Sequence, residues 1–222
     1  MYINGVPISR YGAKLLADYT VGSTPLTTDY YKPRSGSGYV FLGVQQGLRP
    51  IALNFDLYGK DFNDCSLKKS AMDALASSGK VELYLPDGFL YTSILQSAGD
   101  QINVMPGVIS FSYSFLGIRH EKEQKVITSG FILARGTMPK MDCCLTAVVS
   151  ADTEVYQLGE AMFYSVLARD ILTFDGIDKR ILINGAPGAQ KCEWIHFPYL
   201  VPGENIIICQ DPVTVRYAPA YI

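Results

Sequence analysis

The side chains able to carry out chemistry are few in this chain. It has two histidines, His120 and His196, and five cysteines, Cys65, Cys143, Cys144, Cys192 and Cys209. Nucleophilic catalysis needs an activated Ser or Cys with a base in reach. His120 lies in the most charged stretch, residues 117–125 (GIRHEKEQK), which leaves His196 as the one base for the C-terminal half. That residue belongs to Glu193-Trp194-Ile195-His196-Phe197, whose alternation reads as a strand, so a hydrogen-bonded strand histidine is expected. No G-x-S-x-G, H-E-x-x-H, P-loop or G-x-G-x-x-G element occurs. The glycines between Arg34 and Tyr39 are not followed by a helix and cannot open a phosphate-binding helix start.

Cysteine usage is equally plain. An odd number without regular spacing is not a secreted disulfide framework, and buried, reduced thiols acting as small hydrophobes are expected. A zinc site would have to come from Cys143, Cys144, Cys192 and His196, which show no ligand spacing. Carboxylates for glycoside hydrolysis are available at Asp152, Glu154, Glu160, Asp170, Asp175, Asp178 and Glu193, but most sit beside turns, where Asp serves local hydrogen bonds. No catalytic, cofactor-binding or metal-binding residue is therefore assigned, no cofactor is expected, and the chain reads as a non-enzyme. Sugar binding is the rival reading. Trp194, the single tryptophan, and His196 would share one strand face as a glycan contact, with Glu193 on the other. A core or interface tryptophan is the competing explanation.

Composition narrows the class further. The chain has 222 residues, 48% of them hydrophobic and 18% charged, against about 25% charged in ordinary soluble domains. The formal net charge is −2, with no basic cluster to displace counterions from phosphates, so nucleic-acid recognition is not expected. No stretch reaches the roughly 18 apolar residues of a membrane helix, and residues 1–16 lack the apolar core of a secretory signal. Synthesis and assembly in a cytoplasm, without membrane insertion, are the expectation.

The elements that must position these residues are mostly strands. In Ile109-Ser-Phe111-Ser-Tyr113-Ser-Phe115 the apolar residues share one face and the serines the other. Leu53, Phe55 and Leu57 alternate likewise, and Val81, Leu83 and Leu85 run into Pro86-Asp87-Gly88, a tight hairpin turn. One helix is predicted over residues 61–78, capped by Asp61 or Asn63, ending at Gly79, and burying Leu67, Ala71, Met72, Leu75 and Ala76. The charged stretch ends a first domain, with a boundary near residue 128. Short strands follow at 129–134, 143–150, 155–163, 170–174, 179–184, 193–197, 205–210 and 212–217, the spacing of a β-sandwich.

Residues 27–38 (TTDYYKPRSGSG) fit neither core. A Ser-Gly-Ser-Gly tip, read as flexible, is flanked by Tyr30, Tyr31 and Tyr39, with Lys32 and Arg34 between. This composition suits a projecting hairpin or arm that meets a partner subunit, and equally an ordinary long surface loop.

Several stretches together resemble the distal tail proteins of siphophages. They are Ile3-Asn-Gly-Val-Pro-Ile8, Tyr11-Gly-Ala-Lys-Leu-Leu16, Leu26-Thr-Thr-Asp-Tyr30, Leu57-Tyr-Gly-Lys60, Val81-Glu-Leu-Tyr-Leu-Pro-Asp-Gly88, Phe197-Pro-Tyr-Leu-Val-Pro-Gly-Glu-Asn205 and Asp211-Pro-Val-Thr-Val-Arg-Tyr217. The resemblance implies a mainly β chain with a ring-forming N-terminal β domain, containing one helix, at residues 1–128. A galectin-like β-sandwich would follow at residues 129–222. It implies a structural role at the virion tail tip, in a baseplate hub. There a homo-oligomeric, hexameric ring joins the tail tube protein to the tail-associated tip protein or lysin. Tyr30, Tyr31, Lys32, Arg34 and Tyr39 would then contact a neighbouring subunit or the tube. No sugar-contact motif of galectins surrounds Trp194, so the resemblance does not carry lectin activity with it.

Overall fold

The structure is a computed structural model that describes residues 1–34 and 38–222. Its contacts divide into two units, Met1–Arg119 with Ile222, and His120–Tyr221. The division falls earlier than the boundary expected near residue 128. Strand Gln124–Thr128 shows why: it pairs antiparallel with Val213–Tyr217 and so belongs to the second unit. Charge alone marked the junction, and the strand begins at Gln124 and Lys125, the last two residues of the charged stretch.

The first unit is built on one sheet. Its strand order is Val6–Pro7, Tyr2–Ile3, Lys80–Tyr84, Leu90–Ala98, Val108–His120, Arg49–Tyr58 and Ala13–Leu15. Val108–His120 and Arg49–Tyr58 form the long central pair, aligning Ile109 with Leu57, Phe111 with Phe55, Tyr113 with Leu53 and Phe115 with Ile51. All eight side chains are buried, as the alternation predicts. The aromatic rings interlock, with Phe55 and Phe111 centroids 5.3 Å apart and Phe111 and Tyr113 5.2 Å apart. Lys80–Tyr84 returns as Leu90–Ala98 through the predicted turn, where Gly88 adopts φ +84° and donates its N–H to the Leu85 carbonyl.

The helix spans Phe62–Ala76, with Asp61 as its N-cap accepting the Asp64 N–H at 2.8 Å. Its buried stripe differs from the expected one. Cys65, Met72 and Ala76 are buried, while Leu67 and Ala71 are exposed. The fourth member of the stripe is Lys69, at the i+4 position from Cys65. Its ammonium lies 5.3 Å from the centre of the Phe111 ring and pairs with Asp73 at 2.9 Å. Asp73 in turn accepts the Tyr113 hydroxyl at 2.6 Å. A partly buried lysine lies on this face, while Leu67, which hydrophobicity alone would place inside, is exposed.

The second unit is also mainly β. Gln124–Thr128, Val213–Tyr217, Met141–Val148, Ile171–Asp175, Arg180–Ile183 and Ala186–Pro187 form one sheet. Thr153–Leu158, Ala161–Val166 and Cys192–Glu193 form a second, and Phe131–Ala134 pairs with Gly203–Ile206. Alternate residues of these strands are buried, including Leu145, Tyr156, Leu158, Phe163, Leu172, Phe174, Val213, Val215 and Tyr217. Three expected strands are corrected, the first being that at 205–210, which is instead Gly203–Ile206 with residues 207 and 208 outside any strand. Residues 155–163 are not one strand but the middle of a hairpin that turns at Gly159, whose φ is +63°. The expected strand 193–197 stops at Glu193, and Trp194 to Phe197 lie outside any strand.

Candidate functional site

Among the described residues, the exposed apolar side chains are most concentrated where the sequence placed the arm. Strands Leu26–Tyr31 and Val40–Gln46 pair antiparallel with each other and, among the described residues, with no other strand. β-branched and aromatic residues favour this conformation, and the register shifts at a bulge between Asp29 and Tyr30. Beyond the bulge, Tyr30 faces Phe41 and Tyr31 faces Val40 across the ladder. The Tyr30 and Tyr39 rings meet edge to face at 6.1 Å, and Gln45 donates to the Asp29 carboxylate at 2.8 Å. Such local contacts hold the ribbon together without burying it. Tyr30 is 61% exposed, Tyr39 71% and Leu42 65%. Isolated two-stranded ribbons are marginal in water, and a contiguous exposed apolar surface marks an interaction site.

Lys32 and Arg34 are exposed at the end of the first strand, while the Ser-Gly-Ser tip, residues 35–37, lies outside the described residues. Sequence reasoning named the tyrosines and missed Leu26, Val40, Phe41, Leu42 and Val44, all of which are exposed on the same ribbon. Their signal was present. Val40-Phe-Leu-Gly-Val44 is an apolar run that could equally be a buried strand, and only the lack of a covering strand separates the two.

The alternative glycan residues are not brought together as expected. With the strand ending at Glu193, Trp194 and His196 share no strand face. Trp194 is partly exposed, with its ring 6.0 Å from Phe197. The His196 Nε2 instead meets Glu160 at 2.7 Å, and its ring lies 5.1 Å from Tyr199. These residues rim a cleft of about 160 Å³ floored by Cys143, Leu145 and Leu200. Burial pushes the Cys143 thiol up to about 12 and that of Cys192 up to about 11, the reverse of an activated nucleophile. Among the described residues, no group of three or more His, Cys, Asp or Glu side chains converges as a metal-ligand set.

No protein-family model matches the chain, and no curated protein does. Solved structures do. The chain is similar to the SPP1 Dit protein, described as a paradigm of the hub adsorption apparatus in phages that infect Gram-positive bacteria. The TM-score is 0.74 at 12% identity, covering 99% of this chain and 98% of that one. It is also similar to a chain of the phage P2 baseplate in its activated conformation with calcium. There the TM-score is 0.55 at 7% identity, covering 96% of this chain and 92% of that one. The strontium form gives a TM-score of 0.52 at 8% identity, with 95% and 91% covered. From end to end, the chain has the fold of a phage distal tail protein.

Proposed function

We propose that this chain is a non-catalytic structural protein of a phage tail tip. On this reading it is made in the host cytoplasm and forms a baseplate hub by ring closure of its first unit. The observation that carries the proposal is the coincidence of a whole-length hub fold with an exposed, aromatic, two-stranded arm. A head-to-tail contact generates a ring when its rotation closes, and an exposed aromatic projection on each copy is one way to form it. The arm of residues 26–46 supplies that projection, and its open backbone edges can extend a sheet of the next subunit. Tyr30, Tyr31, Lys32, Arg34 and Tyr39 would lie in this contact, with copies of this chain first and the tail tube as the further partner. Six copies, a tail-associated tip protein or lysin below, and a galectin-like second unit complete the proposal.

Light scattering with negative-stain imaging of the purified chain tests it. The expected result is a ring with an open lumen that disappears when Tyr30, Tyr31 and Phe41 are changed to serine, while the melting temperature of the isolated chain holds. Rings that persist in that variant would remove the arm from the interface.

Glycan binding through the second unit is the alternative, and the partly exposed Trp194 ring is what favours it. It predicts saturable binding of cell-wall polysaccharide that Trp194→Ala abolishes.

A further inference from the structure

Three residues from the root of the arm, at the start of strand Arg49–Tyr58, a charged side chain is buried. Arg49 is 7% exposed. Among the described residues it has no carboxylate within ion-pair distance, and its Nε has no hydrogen-bond partner. Arg119 opposes its charge, and the Asp87 carboxylate, which favours it, is already engaged by the Tyr91 hydroxyl and the Phe89 N–H. Burying a guanidinium so poorly matched is unfavourable, and an apolar residue of similar volume often serves a core better. Core packing therefore does not account for an arginine here.

The one side-chain hydrogen bond Arg49 makes among the described residues does. Its Nη1 donates to the carbonyl oxygen of Gly22 at 2.7 Å. Gly22 stands where the chain leaves the sheet for the arm, just after strand Thr20–Val21. The same residue donates its N–H to the Pro50 carbonyl at 2.8 Å, and Gly47 donates to the Pro25 carbonyl at 2.8 Å on the returning side. A Cβ at position 22 would come within 2.7 Å of the Pro50 ring, so glycine is what lets the two strands approach at this point. Outgoing and returning strands are thus held together at two places, and the buried guanidinium reaches across from one to the other.

We propose that Arg49 is a positioning residue that fixes the direction in which the arm leaves the sheet, and so sets the arm for capture by a second copy of the chain. This rests on the reading of the arm as an assembly contact. The charge supplies a strong, directional hydrogen bond to a backbone carbonyl, which an apolar replacement of equal size cannot make.

Hydrogen exchange, thermal melting and light scattering on the full chain test it. In Arg49→Met the melting temperature should hold or rise. Amides of Val40–Gln46 should exchange at least about tenfold faster, while those of Phe55 and Tyr113 keep their rates, and ring yield should fall. Arg49→Lys should restore part of the arm protection and part of the yield, because its ammonium can still donate to Gly22. Unchanged exchange in the arm, or equal acceleration in arm and core, would overturn the positioning role. So would a loosened arm with full ring yield, provided the Tyr30, Tyr31 and Phe41 serine variant does fail to assemble. If that serine variant assembles normally, the arm reading itself falls, whatever Arg49 does.

Discussion

Replacing Asp61 with alanine removes the carboxylate that accepts the Asp64 N–H at the start of the helix. The expected cost is about 1 kcal/mol, read as a lower urea midpoint with an unchanged slope. Three other carboxylates contribute to the response to acid, one of them Asp211, where the raising effect of burial is outweighed by hydrogen bonds from Ser150. The hydrogen bond from Lys68, followed by the Lys60 N–H, holds Asp64 below the usual carboxylate range. The Leu167 N–H and then Asn184 do the same for Asp170. A carboxylate lowered in the folded state adds stability that is complete above its unfolded pKa and vanishes as pH falls through the folded value. Melting temperature should therefore stay level from neutrality to about pH 4 and drop below it. A level series down to pH 2 would show that none of these contacts survives in solution. At this scale the sequence was readable where one residue does one thing. Asp61 as a cap and Gly88 in a turn follow from type and position, whereas the partial burial of Lys69 depends on Phe111, a neighbour that only the fold supplies.

Strands whose two faces differ in polarity were legible. The central pair and the hairpin of residues 80–98 follow from alternation and one turn motif. Elements were misread where a single glycine changes the chain direction, as at Gly159, or where alternation continues past the last ladder bond, as after Glu193. The arm falls between these cases. Its tyrosines and Gly-Ser tip announced something unusual, yet Val40 to Val44 could have been core until the absence of a covering strand was known. The arm's weak hold on itself yields a prediction about this element alone. Below the concentration at which copies associate, amides of Leu26–Tyr31 and Val40–Gln46 should exchange faster than those of Arg49–Tyr58 by about a hundredfold or more. Protection equal to that of the sheet would mean the ribbon is covered within its own chain.

Across the whole molecule, the two units each have their own buried side chains, and residues 120–221 are expected to fold when produced alone, with a cooperative melt. A fragment starting at residue 129 should be less stable, because it lacks the strand that pairs with Val213–Tyr217. Equal melting of the two fragments would place the boundary where charge alone had put it. The arm has a last consequence that concerns counting. On the proposed reading, every copy offers one arm and one place to receive it, so a row of copies of any length always has one arm left in water. Only closure hides the last one. Growth then stops without a ruler or a cap, because the finished object has no end to add to, and the apolar surface that drives recruitment is extinguished when the circle is complete.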